Sequence, residues 1–140
     1  MPEGEDPTSK EASRRLTDPD WTQDVESEPG QGIAAQISNA MVGLKKEFYG
    51  RGPVKAKTYI NDNYLLCVLQ GGLTRNEETL LEAGEEKLVR TYRLRFQEVV
   101  TAPVTEAVER ITNRKVIGYH SQIVFNPEYA FEIFVLDRPL

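Results

Sequence analysis

The segment Val54–Gln70, VKAKTYINDNYLLCVLQ, decides the fold because it predicts two strands joined by a tight turn. Val54–Ile60 alternates between two kinds of side chain, which is the period of a strand with two different faces. Asn61-Asp62-Asn63 is a turn sequence, since Asn and Asp accept a positive φ. Tyr64–Gln70 is apolar on both faces. We therefore expect it to be a central strand that is covered on both sides.

An amphipathic helix precedes this hairpin. Its large apolar residues recur at spacings of three and four along one face, as in Ile33, Ile37, Met41, Leu44 and Phe48. The sequence Gly50-Arg51-Gly52-Pro53 ends the helix, because glycine accepts the left-handed cap conformation and proline cannot continue a helix. We therefore interpret Gly50, Gly52 and Pro53 as a structural turn.

Two further helical segments follow the hairpin. Thr74-Arg75-Asn76-Glu77 has the pattern of a capping box, in which the threonine and the glutamate satisfy each other's backbone donors. A short helix should begin there and end near Gly84. A long helix is then predicted over residues 85–112, with a kink at Pro103. Two abutting helices are the alternative.

A second hairpin closes the chain. Lys115–Phe125 and Tyr129–Leu136 are the predicted strands, and Asn126-Pro127-Glu128 is the turn. The order helix, hairpin, helix, hairpin (αββαββ) predicts an α+β fold, with a four-stranded antiparallel sheet and its helices on one face.

The second face of that sheet needs a cover. Tyr64–Gln70 and Tyr129–Leu136 are apolar on both sides, and soluble monomers seldom leave such a surface in water. We therefore expect a homodimer, or another partner, on this face. The alternative is that the segment 74–84 folds over it within one chain.

Charge divides the 140 residues into a tail and a single domain. Residues 1–30 contain nine acidic and three basic residues and four of the eight prolines, so they predict a disordered acidic tail. Trp21 among these acids is an alternative docking element. Residues 31–140 carry 13 acidic and 14 basic residues and form the predicted domain.

Several function classes are excluded by composition. No stretch of about 18 apolar residues could span a membrane, and the N-terminus has no apolar signal region. We expect a cytoplasmic protein, with a position peripheral to the membrane as the alternative. The single Cys67 excludes an internal disulfide and a Cys-based zinc site, and the single His120 leaves little for triad chemistry. We therefore expect no metal, no cofactor and no catalysis.

The candidate binding residues are basic. Alternatives to protein binding are a small-ligand or anion sensor, or an enzyme, that uses Arg51 and His120, and a nucleic-acid or membrane-surface binder that uses a local cluster of lysines. That cluster consists of Lys45, Lys46, Lys55 and Lys57. Nucleic acid is the weaker choice, because no aromatic RNA-binding pattern accompanies the lysines and the predicted domain carries a net charge of only +1.

The chain resembles the MpsC-like family in the order of its motifs. FYGRGP before a hairpin, GGLT with a glutamate three residues after the threonine, ITNRKV at the end of the long helix, HSQI and FVLDR carry the resemblance, which covers residues 31–140. Two positions depart from it: Asn113 stands where glycine is common, and Gln122 stands where aspartate is common.

The resemblance implies a bacterial domain of unknown function, named for a component of a cation-translocating system that generates a membrane potential. The family has no established catalytic residues, so none is carried over. We expect a non-catalytic interaction or regulatory module, with a homodimer as its assembly and a membrane-associated protein as a further partner.

Overall fold

The computed structural model describes residues 32–140, so the predicted acidic tail and Trp21 lie outside the described residues. The described part contains four helices and four strands, and the predicted α+β class is confirmed. In chain order the elements are α1 (Ile33–Tyr49), β1 (Lys55–Asn61), β2 (Tyr64–Gln70), α2 (Arg75–Glu82), α3 (Glu86–Val99), α4 (Thr101–Thr112), β3 (Val116–Val124) and β4 (Tyr129–Leu136).

The strands form one antiparallel sheet in the order β1-β2-β4-β3. Each hairpin pairs within itself, and the two hairpins meet where β2 pairs with β4. The prediction that β2 is a central strand is therefore confirmed, and β4 is the other central strand. Cys67 of β2 lies opposite Glu132 of β4 in this pairing.

The predicted first helix is confirmed, and it ends as its sequence indicates. Ile37 and Met41 are buried against the sheet. Gly50 caps the helix at a φ of 82°, and its N–H donates to the Lys46 carbonyl at 3.0 Å. Only glycine adopts this conformation without strain, because a Cβ crowds the backbone there.

The capping box at α2 is present in full. The Thr74 N–H donates to Glu77 Oε1 at 2.9 Å, and the Glu77 N–H donates to Thr74 Oγ1 at 3.3 Å. These bonds satisfy two backbone donors that no preceding helical turn can reach.

The segment 85–112 is two abutting helices, and the kinked single helix is wrong. The break falls at Val100, three residues before Pro103. Proline has no N–H to donate to the carbonyl of Val99, and its ring would clash with that carbonyl. The first turn of a new helix tolerates proline, since its N–H groups lack partners there in any case.

All four helices lie on the same side of the sheet, and α2 packs on α3. Helices α1 and α4 cover Leu65, Cys67, Leu69 and Phe134. Leu80 and Leu81 of α2 pack beside Leu73, Val89 and Ile123, which also belong to this side. The alternative in which residues 74–84 fold over the second face is therefore wrong, because both leucines face the helical layer.

Substituting alanine at Gly50, the C-cap of α1, and at Gly43, inside α1, should have opposite effects on stability. Gly50→Ala should lower the free energy of unfolding by about 1 kcal/mol, because φ is positive there. Gly43→Ala should raise it by about 0.5–1 kcal/mol, because Gly43 lies inside the helix with open space around its Cα. Urea denaturation of both variants measures the two changes, and losses of equal size would contradict this account of the cap.

Candidate functional site

One face of the sheet points away from all four helices, and we call it the open face. Directly paired residues of antiparallel strands project to the same side, so the register identifies its members. The two central strands contribute mainly apolar side chains, Tyr64, Leu66, Val68, Tyr129, Phe131, Ile133 and Val135, together with the polar Gln70. The edge strands add Lys55, Lys57, Tyr59 and Asn61 from β1, and Gly118, His120, Gln122 and Val124 from β3.

The open face exposes a substantial apolar area. Tyr64 is 56% exposed, Tyr59 51% and Ile133 37%. The rings of Tyr129 and Phe131 stack with their centroids 6.0 Å apart. Within residues 32–140 no helix packs on this face, because both clusters that join helices to strands lie on the opposite side. The face is therefore a candidate surface for a partner.

Two lysines and a histidine lie at the margins of the open face. Lys55 and Lys57 lie on the β1 margin and His120 lies on the β3 margin. None of the strand residues that project from this face is acidic. An apolar centre with a polar margin is the usual anatomy of a protein interface.

The helical side carries a buried ionic cluster around Glu132. Its carboxylate accepts from Lys45 Nζ at 3.0 Å, from Tyr119 Oη at 2.5 Å and from Ser121 Oγ at 3.0 Å. Gln97 donates to the Tyr119 hydroxyl. These groups come from α1, α3, β3 and β4, so the cluster joins the helical layer to the second hairpin.

A second ion pair lies beside it. Arg93 donates to both carboxylate oxygens of Glu77, at 2.7 Å and 2.5 Å, and its guanidinium lies 4.2 Å from the ring centre of Tyr49. Burial alone would raise the pKa of Glu77, but hydrogen bonds from Arg93 and from the Thr74 N–H outweigh it, and the pKa is lowered. Burial raises the pKa of the Tyr49 hydroxyl to about 12.

These clusters are arranged to hold elements together. The carboxylate oxygens of Glu132 accept from three donors. The cavity between Lys45 and Ser121 measures about 20 Å³, which is room for about one water. Burial raises the pKa of the Cys67 thiol to about 12, so at neutral pH it is a protonated and weak nucleophile. Burial and the adjacent Glu132 raise the pKa of Tyr119 as well.

Arg51 and His120 lie in different places. Arg51 Nη1 donates to the Leu73 carbonyl at 2.9 Å and lies 3.6 Å from a Glu78 carboxylate oxygen. His120 projects from β3 on the open face. The structure therefore does not bring the two residues into one site.

The predicted lysine cluster is divided between the two sides of the sheet. Lys45 points inward and pairs with Glu132, and its side chain is 12% exposed. Lys55 and Lys57 belong to the open face, while Lys46 is exposed on α1. The four lysines therefore do not converge on one surface.

A groove of about 420 Å³ lies between α1, α2 and α3. Phe48, Tyr49, Leu80, Tyr92 and Phe96 form much of its wall. The carboxylate of Glu77, which also lines it, is already held by Arg93 and by the capping box. The groove is therefore mainly an apolar surface.

Residues 32–140 contain no group of three or more His, Cys, Asp or Glu side chains placed to hold a metal ion. None of their helices combines the length and the apolar character needed to cross a membrane.

The sequence interpretation did not identify the partners of the buried ions. Glu132 stands in a strand of otherwise apolar residues, and that acid is the one sequence signal of a buried ion pair. Its partner Lys45 appeared to belong to a surface cluster, since neighbouring lysines surround it in the sequence.

Comparison with known proteins identifies relatives. A family model described as "Na+-translocating membrane potential-generating system (MpsC)" matches residues 30–138. The uncharacterized protein YrhF of Bacillus subtilis (strain 168) is 26% identical over 99 residues, which are 69% of this chain and 81% of that protein. No solved structure matches the chain.

Removing the cation that faces Glu132 should destabilise the fold. Lys45→Met should lower the free energy of unfolding by about 3 kcal/mol, because a buried carboxylate loses its counter-ion. Lys46→Met, on the exposed neighbour, should change it by less than about 0.5 kcal/mol. The double variant Lys45→Met/Glu132→Gln should lose less than Lys45→Met alone. Urea denaturation tests all three, and equal effects at Lys45 and Lys46 would contradict the buried pair.

The Glu77 pair should make stability sensitive to acid. Its folded pKa is below the unfolded value of about 4.3, so its contribution is complete above that pH and is lost as the pH falls through the folded pKa. Glu77→Gln should cost about 3 kcal/mol at pH 7, and this cost should shrink progressively as the pH falls below about 4.3. Glu82→Gln, on an exposed side chain of the same helix, is the control. A loss at Glu77 that does not change with pH would contradict the ion pair.

Proposed function

The chain belongs to the MpsC family, and on that premise we propose that it is a non-catalytic interaction component of a system that generates a membrane potential. Its working surface in this proposal is the open face of the sheet. As part of the same proposal it acts at the cytoplasmic periphery of a bacterial membrane, because the family description names a membrane-potential system.

The open face is the observation that carries the proposal. Leu66 and Val68 of β2 lie beside Phe131 and Ile133 of β4, which gives an apolar centre two strands wide. Burial of such side chains contributes about 25 cal/mol per Å² to association before entropy is subtracted. A surface of this kind is stabilised by a partner and is costly to leave in water.

The size of the face suits a small interface. With strands about 4.8 Å apart and a rise of about 3.3 Å per residue, four strands of seven residues have a footprint of roughly 450 Å². That footprint is below the roughly 800 Å² that each partner contributes to a standard interface, so it suits a weak dimer that dissociates on dilution.

We commit to a second copy of this chain as the occupant. Two-fold dimers are the commonest oligomers, and a sheet face can pack on itself to form a two-layer sandwich. A two-fold axis parallel to the strands would set β1 of one copy over β3 of the other. Lys57 would then face the neutral Gln122 region of its partner, so that like charges on β1 would stay apart.

The buried clusters support the non-catalytic part of the proposal. Glu132 and Glu77 are the buried carboxylates of the described residues, and both are held by several donors. A catalytic acid or base needs a proton-transfer partner within reach of a substrate, and these carboxylates already bind side chains of their own chain.

Light scattering on the full chain tests the dimer. The wild type should give twice the chain mass of 15.9 kDa at tens of micromolar and approach that mass on dilution. Ile133→Lys should weaken self-association by at least about 100-fold, because it buries an unpaired charge at the centre of the interface. Tyr64→Lys, at a more exposed position of the same face, is a second variant that leaves the fold less disturbed.

A matched control is available on the helical side. Val99 is 76% exposed on α3, so Val99→Lys adds the same charge away from the open face and should leave self-association unchanged. Circular dichroism melts confirm that each variant is folded. A wild type that stays at 15.9 kDa at all concentrations, or equal losses at Ile133 and Val99, would contradict the proposal.

The link to a membrane potential is tested in the host cell. Deleting the chain should lower the potential that a voltage-sensitive dye reports in sodium medium, and wild type or Val99→Lys should restore it. Ile133→Lys should fail to restore it at equal protein levels. A potential that is unchanged by the deletion would contradict a role in such a system.

A further inference from the structure

We propose that the side chain of Glu128 is a pH-dependent latch between the β3–β4 turn and the loop that leads from β2 into α2. The latch closes when Glu128 is protonated and loosens as Glu128 ionises. Neither the open face nor a second copy of the chain is needed for it.

The latch is one hydrogen bond between distant parts of the chain. The Leu73 N–H donates to Glu128 Oε2 at 2.8 Å. Leu73 lies between β2 and α2, and Glu128 is the residue before β4. The bond therefore joins the turn of the second hairpin to the segment that starts α2.

Two arginines hold the same loop by other atoms. Arg51 Nη1 donates to the Leu73 carbonyl at 2.9 Å, and Arg93 Nη2 donates to the Gly72 carbonyl at 3.2 Å. The Leu73 side chain is also buried in an apolar cluster on the helical side. Loss of the bond to Glu128 should therefore free the turn from the loop without unfolding the loop.

Glu128 has fewer hydrogen-bond donors than the two buried carboxylates. Glu77 accepts two bonds from Arg93 besides those of the capping box, and Glu132 accepts from three side chains. Glu128 is half-buried, and within residues 32–140 it accepts the one bond from Leu73. Burial disfavours the ionised form of a carboxyl group, and one N–H compensates that cost only in part.

The charged neighbours of Glu128 do not reverse this effect. The titratable and charged side chains near it or in the wall of the same small cavity are Arg51, Glu78, Arg93, Lys45 and Tyr129. Arg51 also pairs with Glu78, and Arg93 also pairs with Glu77, so both guanidinium groups are shared with other acids. Burial raises the pKa of Glu128, and the Leu73 N–H and the two arginines offset the rise only in part.

The direction of the switch follows from proton linkage. When the side chain has turned into water, its pKa returns to the ordinary value of a glutamate, about 4.3. The closed latch binds the proton more tightly, so acid favours the closed state. Its contribution to stability is complete below about pH 4.3 and is lost as the pH rises through the folded pKa. This sign is opposite to that of the Glu77 pair.

Native-state hydrogen exchange at the Leu73 amide tests the latch in the full chain, after correction for the intrinsic exchange rate at each pH. The protection factor of the wild type should fall several-fold between about pH 4.5 and about pH 8. Glu128→Gln keeps an oxygen for the Leu73 N–H and cannot ionise, so its protection factor should stay high at both. Glu82→Gln, on an exposed side chain of α2, should behave as the wild type.

Urea denaturation of the same variants gives a second measure. Glu128→Gln should raise the denaturation midpoint above that of the wild type at about pH 8 and match it at about pH 4.5, because only the ionised carboxylate is disfavoured. Glu82→Gln should leave the midpoint unchanged at both. A wild-type protection factor at Leu73 that stays constant or rises with pH would overturn the latch. A Glu128→Gln midpoint below that of the wild type at about pH 8 would also overturn it.

Discussion

The pairing of β2 with β4 is the constraint on which the rest of the structure depends. It joins two hairpins that are far apart in the chain, and it places Cys67 opposite Glu132. Because strand side chains alternate, this register sends Leu65, Leu69 and Phe134 towards the helices and sends Leu66, Phe131 and Ile133 to the opposite face. A slip of one residue would exchange the two sets.

The two faces of the sheet differ in chemistry. The helical face buries a charge, and it satisfies Glu132 with Lys45 from α1 and with Tyr119 and Ser121 from β3. That arrangement ties α1 to the second hairpin, and it is costly to disturb because a lone buried carboxylate is unfavourable. The open face has apolar residues at its centre and lysines at its β1 margin, so its centre is suited to an apolar partner surface.

Local patterns were enough to predict most elements, and they failed where long-range contacts decide. Tyr64–Gln70 and Tyr129–Leu136 are strands with the predicted bounds, because alternation and turn residues define them locally. The sequence did not decide between one helix kinked at Pro103 and two abutting helices, since proline permits either arrangement. The inward direction of Lys45 could not be predicted, because it follows from Glu132, which only the folded sheet brings near.

The most direct test of the central claim is whether the open face is covered in the working molecule. Methyl NMR of the full chain with a soluble paramagnetic agent measures this residue by residue. We predict that the methyl groups of Leu66 and Ile133 are protected to nearly the extent of the buried Leu69, while those of Val99 relax strongly. Relaxation of Leu66 and Ile133 as strong as that of Val99, at concentrations up to hundreds of micromolar, would contradict the account.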